Sequence, residues 1–370
     1  MRTGDRRDER PLLSVIVPAY NVEASLRKCI SSLILPKEMR KEAEILIIDD
    51  GSLDTTPELA ETWKKRYPEQ IRVIHKENGG HGSAINTGIA AAKGKYLRVV
   101  DGDDWVDTQQ FLSFIRKLKY LECDAVITRF AIVTEQDGEK KKSVREPVIP
   151  RMKYGRIYLF QDICARSYIK MHELTLRTAL LKKHNVQVRE HSFYVDMEYI
   201  LYPIPYIRHL CVLPECVYQY RMGGQGQSVS LTGMQRNRIQ HEVVLEDLLT
   251  FFRSQEEAGA SKEILLYLAG GIARMEANQI KLYLSCPTTP QWKNKLILLD
   301  RRIQREYPLI YRKMPKKSVW LLRLSRYRLY GAAARCVRLA AGKTGTCTDS
   351  GHERKPERAG KDGNECGCRH

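Results

Sequence analysis

Residues 96–105 read Tyr96-Leu97-Arg98-Val99-Val100-Asp101-Gly102-Asp103-Asp104-Trp105, a strand-like run that stops abruptly in three carboxylates. Such a run belongs inside a sheet, and acids at its carboxyl end must meet water or a cation. The same arrangement recurs toward the N-terminus. Leu12–Val17 leads into Pro18-Ala19-Tyr20-Asn21, Glu44–Ile48 leads into Asp49-Asp50-Gly51-Ser52, and Ile71–His75 is a further strand-like run. Between these lie stretches with helical spacing. Leu26, Ile30, Leu33 and Ile34 precede a stop at Pro36, a second stretch runs from a cap at Asp54 or Thr55 to Tyr67, and Ala84, Ile85, Ile89 and Ala92 precede Gly94. Strands alternating with helices predict an α/β protein built on a mostly parallel sheet with helices on both faces. The polar strand ends then share one edge, where open α/β sheets bind ligands and helix N-termini favour anions.

Beyond the acidic loop the pattern predicts a helix over Phe111–Leu121, a strand over Asp124–Val133 and a charged turn from Glu135 to Lys142 around Gly138. Residues 151–230 are less regular and rich in tyrosine, which suits either a wall that contacts a sugar or ordinary packing. A C-terminal helical extension is expected over 231–310, including Arg238–Phe252 and Lys262–Leu284, then a basic aromatic segment at 311–341 and a disordered tail at 342–370.

A chain of 370 residues with 43% hydrophobic residues can bury a sizeable core, which excludes wholesale disorder. The charged Met1–Arg10 lacks an export signal, and no apolar run approaches the roughly 18 residues of a membrane span. A cytoplasmic protein is expected. The ten cysteines then read as mostly buried thiols, and the tail residues Cys347, His352, Cys366, Cys368 and His370 match no paired zinc spacing. The net charge of +18 is concentrated at 301–341, with twelve lysines and arginines against the single acid Glu306. Interleaved aromatic and aliphatic residues suit peripheral contact of 311–341 with the anionic inner face of a membrane, and a solvated helix packed on the main domain fits equally well. Nucleic acid is the less favoured partner, since the arginines do not share one face of a single helix.

Asp101, Asp103 and Asp104 crowd three carboxylates into four residues, which invites a divalent cation, Mg²⁺ or Mn²⁺. The alternative is that Asp103 or Asp104 caps a helix after Trp105. Asp49-Asp50-Gly51-Ser52 reads either as a strand-to-helix turn or as a place where Asp50 accepts the N3–H of a uracil ring. Asn78–Ser83, with Gly80 and Ser83, is a glycine-rich turn that opens a helix and lets backbone N–H groups approach phosphate. His81 within it reads as a surface histidine.

The runs Ser14–Asn21, Ile48–Asp54, Glu77–Gly80 with Asn86 and Gly88, and Val100–Val106 together resemble family 2 glycosyltransferases. That resemblance implies a Rossmann-like GT-A domain over 1–230, with a nucleotide-sugar half at 11–130 and an acceptor half at 131–230. It places Pro18, Tyr20 and Asp50 around the nucleobase, Asp103 near the ribose, Asp101 at the first position of the acidic signature and Asp104, with Asp103, on the metal. His172 and Glu173 fall where relatives contact donor sugar or acceptor, and Arg221 with Gln225–Ser230 where they close over the diphosphate. Asp196 matches the general base, with Val195 where glutamate is common, and Glu198 and Glu190 are the neighbouring carboxylates. The implied reaction is inverting transfer from a nucleoside-diphosphate sugar, uridine favoured, to a saccharide or lipid-linked hydroxyl in cell-surface polysaccharide synthesis. A sugar-nucleotide nucleotidyltransferase and a non-catalytic carbohydrate-binding descendant are the alternatives.

Overall fold

The computed structural model describes residues 10–342 apart from 137–138, 148, 150–151, 165–166 and 223–230. Gly138, the Gln225–Ser230 stretch and the cysteine-containing tail from 343 onward lie outside the described residues.

The first part of the chain folds as its alternation predicts: β1 (Leu13–Ala19), α1 (Glu23–Leu33), β2 (Ala43–Asp49), α2 (Thr56–Arg66), β3 (Ile71–His75), α3 (Gly80–Ala91) and β4 (Tyr96–Val99). β3, β2, β1 and β4 pair side by side, all parallel. Every residue of β1 is buried, because both sheet faces are covered and only a continuous apolar run suits such a strand. One face packs on α1, α2 and the later helix α4 (Thr108–Leu118) through Leu26, Ile30, Ala60 and Phe114, the other on α3 through Ala84, Ile85 and Ile89.

The second part departs from the expected order. β5 (Trp105–Val106) follows the acidic loop directly, and α4 (Thr108–Leu118) begins later, capped by Asp107, whose carboxylate accepts from Gln110 N–H at 3.2 Å. Neither Asp103 nor Asp104 caps a helix, so that reading of the acidic run is corrected. β6 (Ala125–Gln136) and β7 (Glu139–Arg145) form an antiparallel ladder, so most of the expected charged turn is strand. Then come β8 (Ile157–Leu159), α5 (Phe160–Cys164), β9 (Leu174–Arg177), α6 (Thr178–Lys183), α7 (Asp196–Leu201) and β10 (His209–Met222). β9 is inserted antiparallel between β4 and β6, and β10 runs parallel to β6. The sheet is therefore parallel in its first half and mixed in its second.

The remaining helices are α8 (Leu231–Arg236), α9 (Arg238–Glu257), α10 (Lys262–Ser285), α11 (Pro290–Glu306), α12 (Pro308–Arg312), α13 (Lys317–Leu324) and α14 (Tyr330–Gly342). α9 and α10 share the core of the α3 face through Val244, Leu248, Phe252, Leu268 and Ile272, so the helical extension completes the core of the sheet domain. The basic segment is not one helix: the chain turns between α13 and α14, where Arg326 and Tyr327 take left-handed φ of 49° and 62°. A single helical wheel does not describe its arginines. Of the described cysteines, Cys29, Cys123, Cys164, Cys211, Cys216 and Cys286 are buried and Cys336 is exposed. No described helix is long and apolar enough to cross a membrane.

Candidate functional site

The acidic loop is pinned to the end of β1. Val100 N–H donates to the Ile16 carbonyl at 2.9 Å and Gly102 N–H to the Pro18 carbonyl at 3.1 Å. Glycine is required at 102, because a Cβ there would stand 2.9 Å from the Pro18 oxygen. Asp101, Asp104 and His172 converge beside this contact, each presenting a potential ligand atom, all within 4.8 Å of one another. His172 arrives by topology. Because β9 runs against β4, the turn Met171–Glu173 that precedes it lies at the carboxyl edge of the sheet. Arg98, buried in β4, fixes that turn by donating to Thr128 Oγ1 and Thr175 Oγ1 at 3.1 Å each and to the His172 carbonyl. Burial lowers the Arg98 pKa to about 10, with only a net-neutral shell of hydroxyls and a carbonyl as direct partners.

The electrostatics of the trio are unbalanced. Asp104 is 2% exposed, its Oδ2 accepts from the Tyr218 hydroxyl at 2.6 Å and its Oδ1 from Arg221 N–H at 2.7 Å. Desolvation, reinforced by Asp101 and Asp103, still pushes its pKa up to about 8. Burial acts the same way on Asp101, but the His81 imidazole, 2.8 Å away, outweighs it and holds that carboxyl below its usual range. For His81 burial opposes the charged form, and Asp101 wins and raises its pKa. His172 is stacked on Phe130 at 5.4 Å and against Tyr218 and Tyr220 at 4.8 and 4.5 Å. Burial holds its pKa down at about 4, so the ring is neutral, and its buried Nδ1 finds no hydrogen-bond partner among the described residues. A carboxylate that resists ionisation beside a neutral, unpartnered imidazole fits a divalent cation, with Asp101, Asp104 and His172 as its donor set. Asp103, expected beside Asp104, is exposed and outside this trio, its pKa raised by desolvation and by Asp101.

The other expected residues line the same edge. Tyr20 is 47% exposed just past β1, where Pro18 is buried. Asn21, at a left-handed φ of 50°, accepts from Leu53 N–H at 2.8 Å and its own N–H meets Ser52 Oγ, joining this end to the Asp49–Ser52 turn. In that turn Gly51 sits at φ 72°, where a Cβ would also meet Asn78 N at 2.9 Å. The carboxylate of Asp50 is largely committed: it accepts from Gly79 N–H at 3.0 Å, Gly80 N–H at 2.7 Å and Lys76 Nζ at 2.8 Å, bracing the glycine turn. Gly80 is half-buried at the start of α3 and Ser83 is buried within it. Arg221 lies over the Trp105 ring at 5.6 Å.

Asp196 is the first residue of α7, after Val195 at the N-cap position, and the main-chain N–H groups of Met197 and of Asp196 itself meet its carboxylate. His191 and Tyr194 just before it take left-handed φ of 52° and 68°, an uncommon backbone for such side chains. The segment is tied down by His191 N–H to the Gly79 carbonyl at 2.5 Å and Phe193 N–H to Gln240 Oε1 at 3.0 Å. Asp196 is open to solvent, and the protein around it pushes its pKa up to about 6, against the pull of His81. Glu198, by contrast, is 1% exposed and accepts from Arg189 N–H and the Tyr202 hydroxyl at 2.8 Å each, at the wall of a separate groove of about 590 Å³ along α9. Glu190 meets Asn86 Nδ2 at 3.2 Å. Both His81 and Asp101 act on the Asp196 carboxyl, the first lowering its pKa and the second raising it.

His81, Tyr218 and Arg98 were not read from the sequence as site residues. His81 carries a signal in its place at the opening of α3, whereas Tyr218 and Arg98 enter only through the pairing of β10 and β9.

Residues 14–181 match the model of glycosyl transferase family 2, so the chain carries a family 2 domain. It is 44% identical over 116 residues to the uncharacterized glycosyltransferase EpsJ of Bacillus subtilis (strain 168), covering 31% of this chain and 33% of that protein. It is 30% identical to EpsH of the same organism over 215 residues, 54% of this chain and 61% of that protein. The chain thus spans a third to three fifths of these curated relatives. A crystal structure of S. aureus TarS 1-349 in complex with UDP-GlcNAc has the same fold, with a TM-score of 0.56 at 19% identity, covering 90% of this chain and 92% of that one. The architecture is GT-A.

Proposed function

We propose that this protein is an inverting glycosyltransferase that moves a sugar from a nucleoside-diphosphate donor, uridine favoured, to a saccharide or lipid-linked hydroxyl. The observation that carries this reading is the convergence of Asp101, Asp104 and His172 within 4.8 Å at the carboxyl edge of the sheet, with Asp196 coupled electrostatically to the same place. Family membership and the binding of UDP-GlcNAc by TarS support the donor class.

In this reading the nucleobase rests by Tyr20 and Pro18, with the remaining acceptor capacity of Asp50 facing its N–H edge. Asp103 reaches the ribose. The diphosphate lies between the start of α3, near Gly80 and Ser83, and Arg221, whose guanidinium balances its charge. Asp101, Asp104 and His172 would hold Mg²⁺ or Mn²⁺, which would supply positive charge beside the diphosphate. Asp196, as carboxylate, takes the acceptor's hydroxyl proton as that oxygen attacks the anomeric carbon and the carbon–oxygen bond to the diphosphate breaks. His81, hydrogen-bonded to Asp101, keeps that carboxylate ionised.

Purified protein incubated with Mn²⁺ and a panel of nucleotide sugars should release nucleoside diphosphate in the presence of acceptor saccharides. Release of pyrophosphate would identify a nucleotidyltransferase instead, and donor binding without turnover across the acceptor panel would identify a non-catalytic binder.

A further inference from the structure

α13 buries Val319 and Leu322 in the ordinary way, but not all of its apolar side chains. α13 buries Arg323 and leaves Leu321 and Leu324 58% and 78% exposed. The rotation of the helix is locked from inside. Arg323 donates to Asp300 from Nε at 3.0 Å and Nη2 at 2.6 Å, to Glu276 Oε1 at 2.9 Å and to the Tyr311 carbonyl at 3.0 Å. Its guanidinium lies over the rings of Tyr311 and Trp320 at 3.6 and 4.8 Å, and the Tyr327 hydroxyl closes on Asp300. Turning α13 to hide its leucines would pull Arg323 out and strand two buried acids, so the leucines are held outward.

What surrounds them is uniformly positive. Lys317, Leu321 and Leu324 follow at spacings that share one helix face. Arg326, Arg328 and Leu329 are exposed in the following turn, and Arg335 and Leu339 one helical turn apart on α14. Residues 311–342 contain nine lysines and arginines and no aspartate or glutamate. An acid-free surface that mixes leucine and arginine complements a layer that is anionic outside and apolar just beneath.

We propose that this face docks the protein peripherally on an anionic phospholipid bilayer. Leu321, Leu324, Leu329 and Leu339 enter the boundary between headgroups and acyl chains, and the neighbouring lysines and arginines meet lipid phosphates. Nucleic acid would satisfy the charges but leave the leucines in water. The proposal stands on residues outside the sugar-transfer site and does not depend on that reading.

Co-sedimentation with vesicles tests it, using phosphatidylcholine alone and phosphatidylcholine mixed with phosphatidylglycerol. Binding is expected only to the mixed vesicles and should weaken with salt. Leu321→Ser with Leu324→Ser should lower the partition coefficient by about tenfold or more at every salt concentration. Arg326→Glu with Arg328→Glu should lower it by about tenfold or more at low salt and progressively less as salt rises. Both variants should keep the wild-type circular dichroism and melting temperature, since all four side chains are exposed, and should keep release of nucleoside diphosphate to a soluble acceptor. Equal binding to neutral vesicles, wild-type partition of the leucine variant, or absence of binding at low salt would each overturn the proposal. So would tight binding to a DNA duplex that survives the leucine changes, or a dimer in sedimentation that the leucine changes dissolve.

Discussion

One cluster of acids lies at the sheet edge and another among the C-terminal helices, and the chain treats them differently. Asp300 and Glu276 share the guanidinium of Arg323, which donates to both carboxylates, and burial pushes the Glu276 pKa up against that pull. There the opposing charge is a side chain of the protein itself. Asp101 and Asp104 receive the Tyr218 hydroxyl, the Arg221 main-chain N–H and the His81 imidazole, and Asp104 still resists ionisation. The first arrangement holds helices together. The second stores an electrostatic deficit that a cation from solution would remove, at some cost to the empty fold.

The strongest test of the difference uses the carboxylate that opens on the sheet-edge cluster. Asp196→Asn is expected to lower transfer by roughly 10²–10⁴-fold while donor affinity, measured by calorimetry, stays near wild type. In the unchanged protein transfer should fall as pH drops through about 6, because the base must be ionised. Near wild-type turnover in the variant would remove Asp196 from the reaction.

Asp104→Asn should lower transfer by about 10³-fold, the several kcal/mol that a metal contributes to leaving-group charge, and should abolish metal-dependent donor binding. Its folded-state pKa is raised, so the ionised form weakens the fold above the unfolded pKa. The melting temperature of the metal-free variant at neutral pH should therefore hold or rise. A marked fall would mean that the cluster is structural after all.

Arg323→Ala should do the reverse. Leaving Asp300 and Glu276 buried without their cation costs about 3–5 kcal/mol in denaturant unfolding. Turnover per folded molecule should remain. The smallest effect is expected from Tyr218→Phe, which removes one hydroxyl from Asp104 and Asp101 and should weaken metal affinity by about 10–100-fold, with little change in unfolding.

Much of the fold was legible because local patterns agreed with the global one. β1 to β4 and their helices fall within a few residues of where apolar runs, Pro36 and Gly94 place them. The acidic loop was legible for the same reason, since three acids following a strand have few other uses. What escaped was non-local. His172 was expected against a sugar, and only the antiparallel insertion of β9 carries it to Asp101 and Asp104. Tyr218 lies more than a hundred residues from the acids it holds, and no spacing rule connects them. Arg98 reads as a polar interruption in a strand until Thr128 and Thr175 are placed beside it. The commitment of Asp50 to Gly79, Gly80 and Lys76 was equally hidden, because a motif names a residue without naming its neighbours.

The insertion of β9 and the late arrival of β10 also govern when the protein can begin to work. On the ribosome, the strands that carry the acidic loop emerge first, and the four-stranded parallel sheet can collapse early. Its cleft then lacks the His172 imidazole until that residue has been made, lacks Asp196 for two dozen residues more, and lacks the Tyr218 clamp until β10 adds itself to β6. A chain released after residue 181 would contain the whole stretch that matches the family model and still hold Asp104 without its hydroxyl and main-chain donors. Translation thus delivers the family signature first and the rest of the cleft last, and a premature stop in between would yield a fragment that carries the signature without Tyr218, which meets Asp101, and without Asp196, which acts on His81.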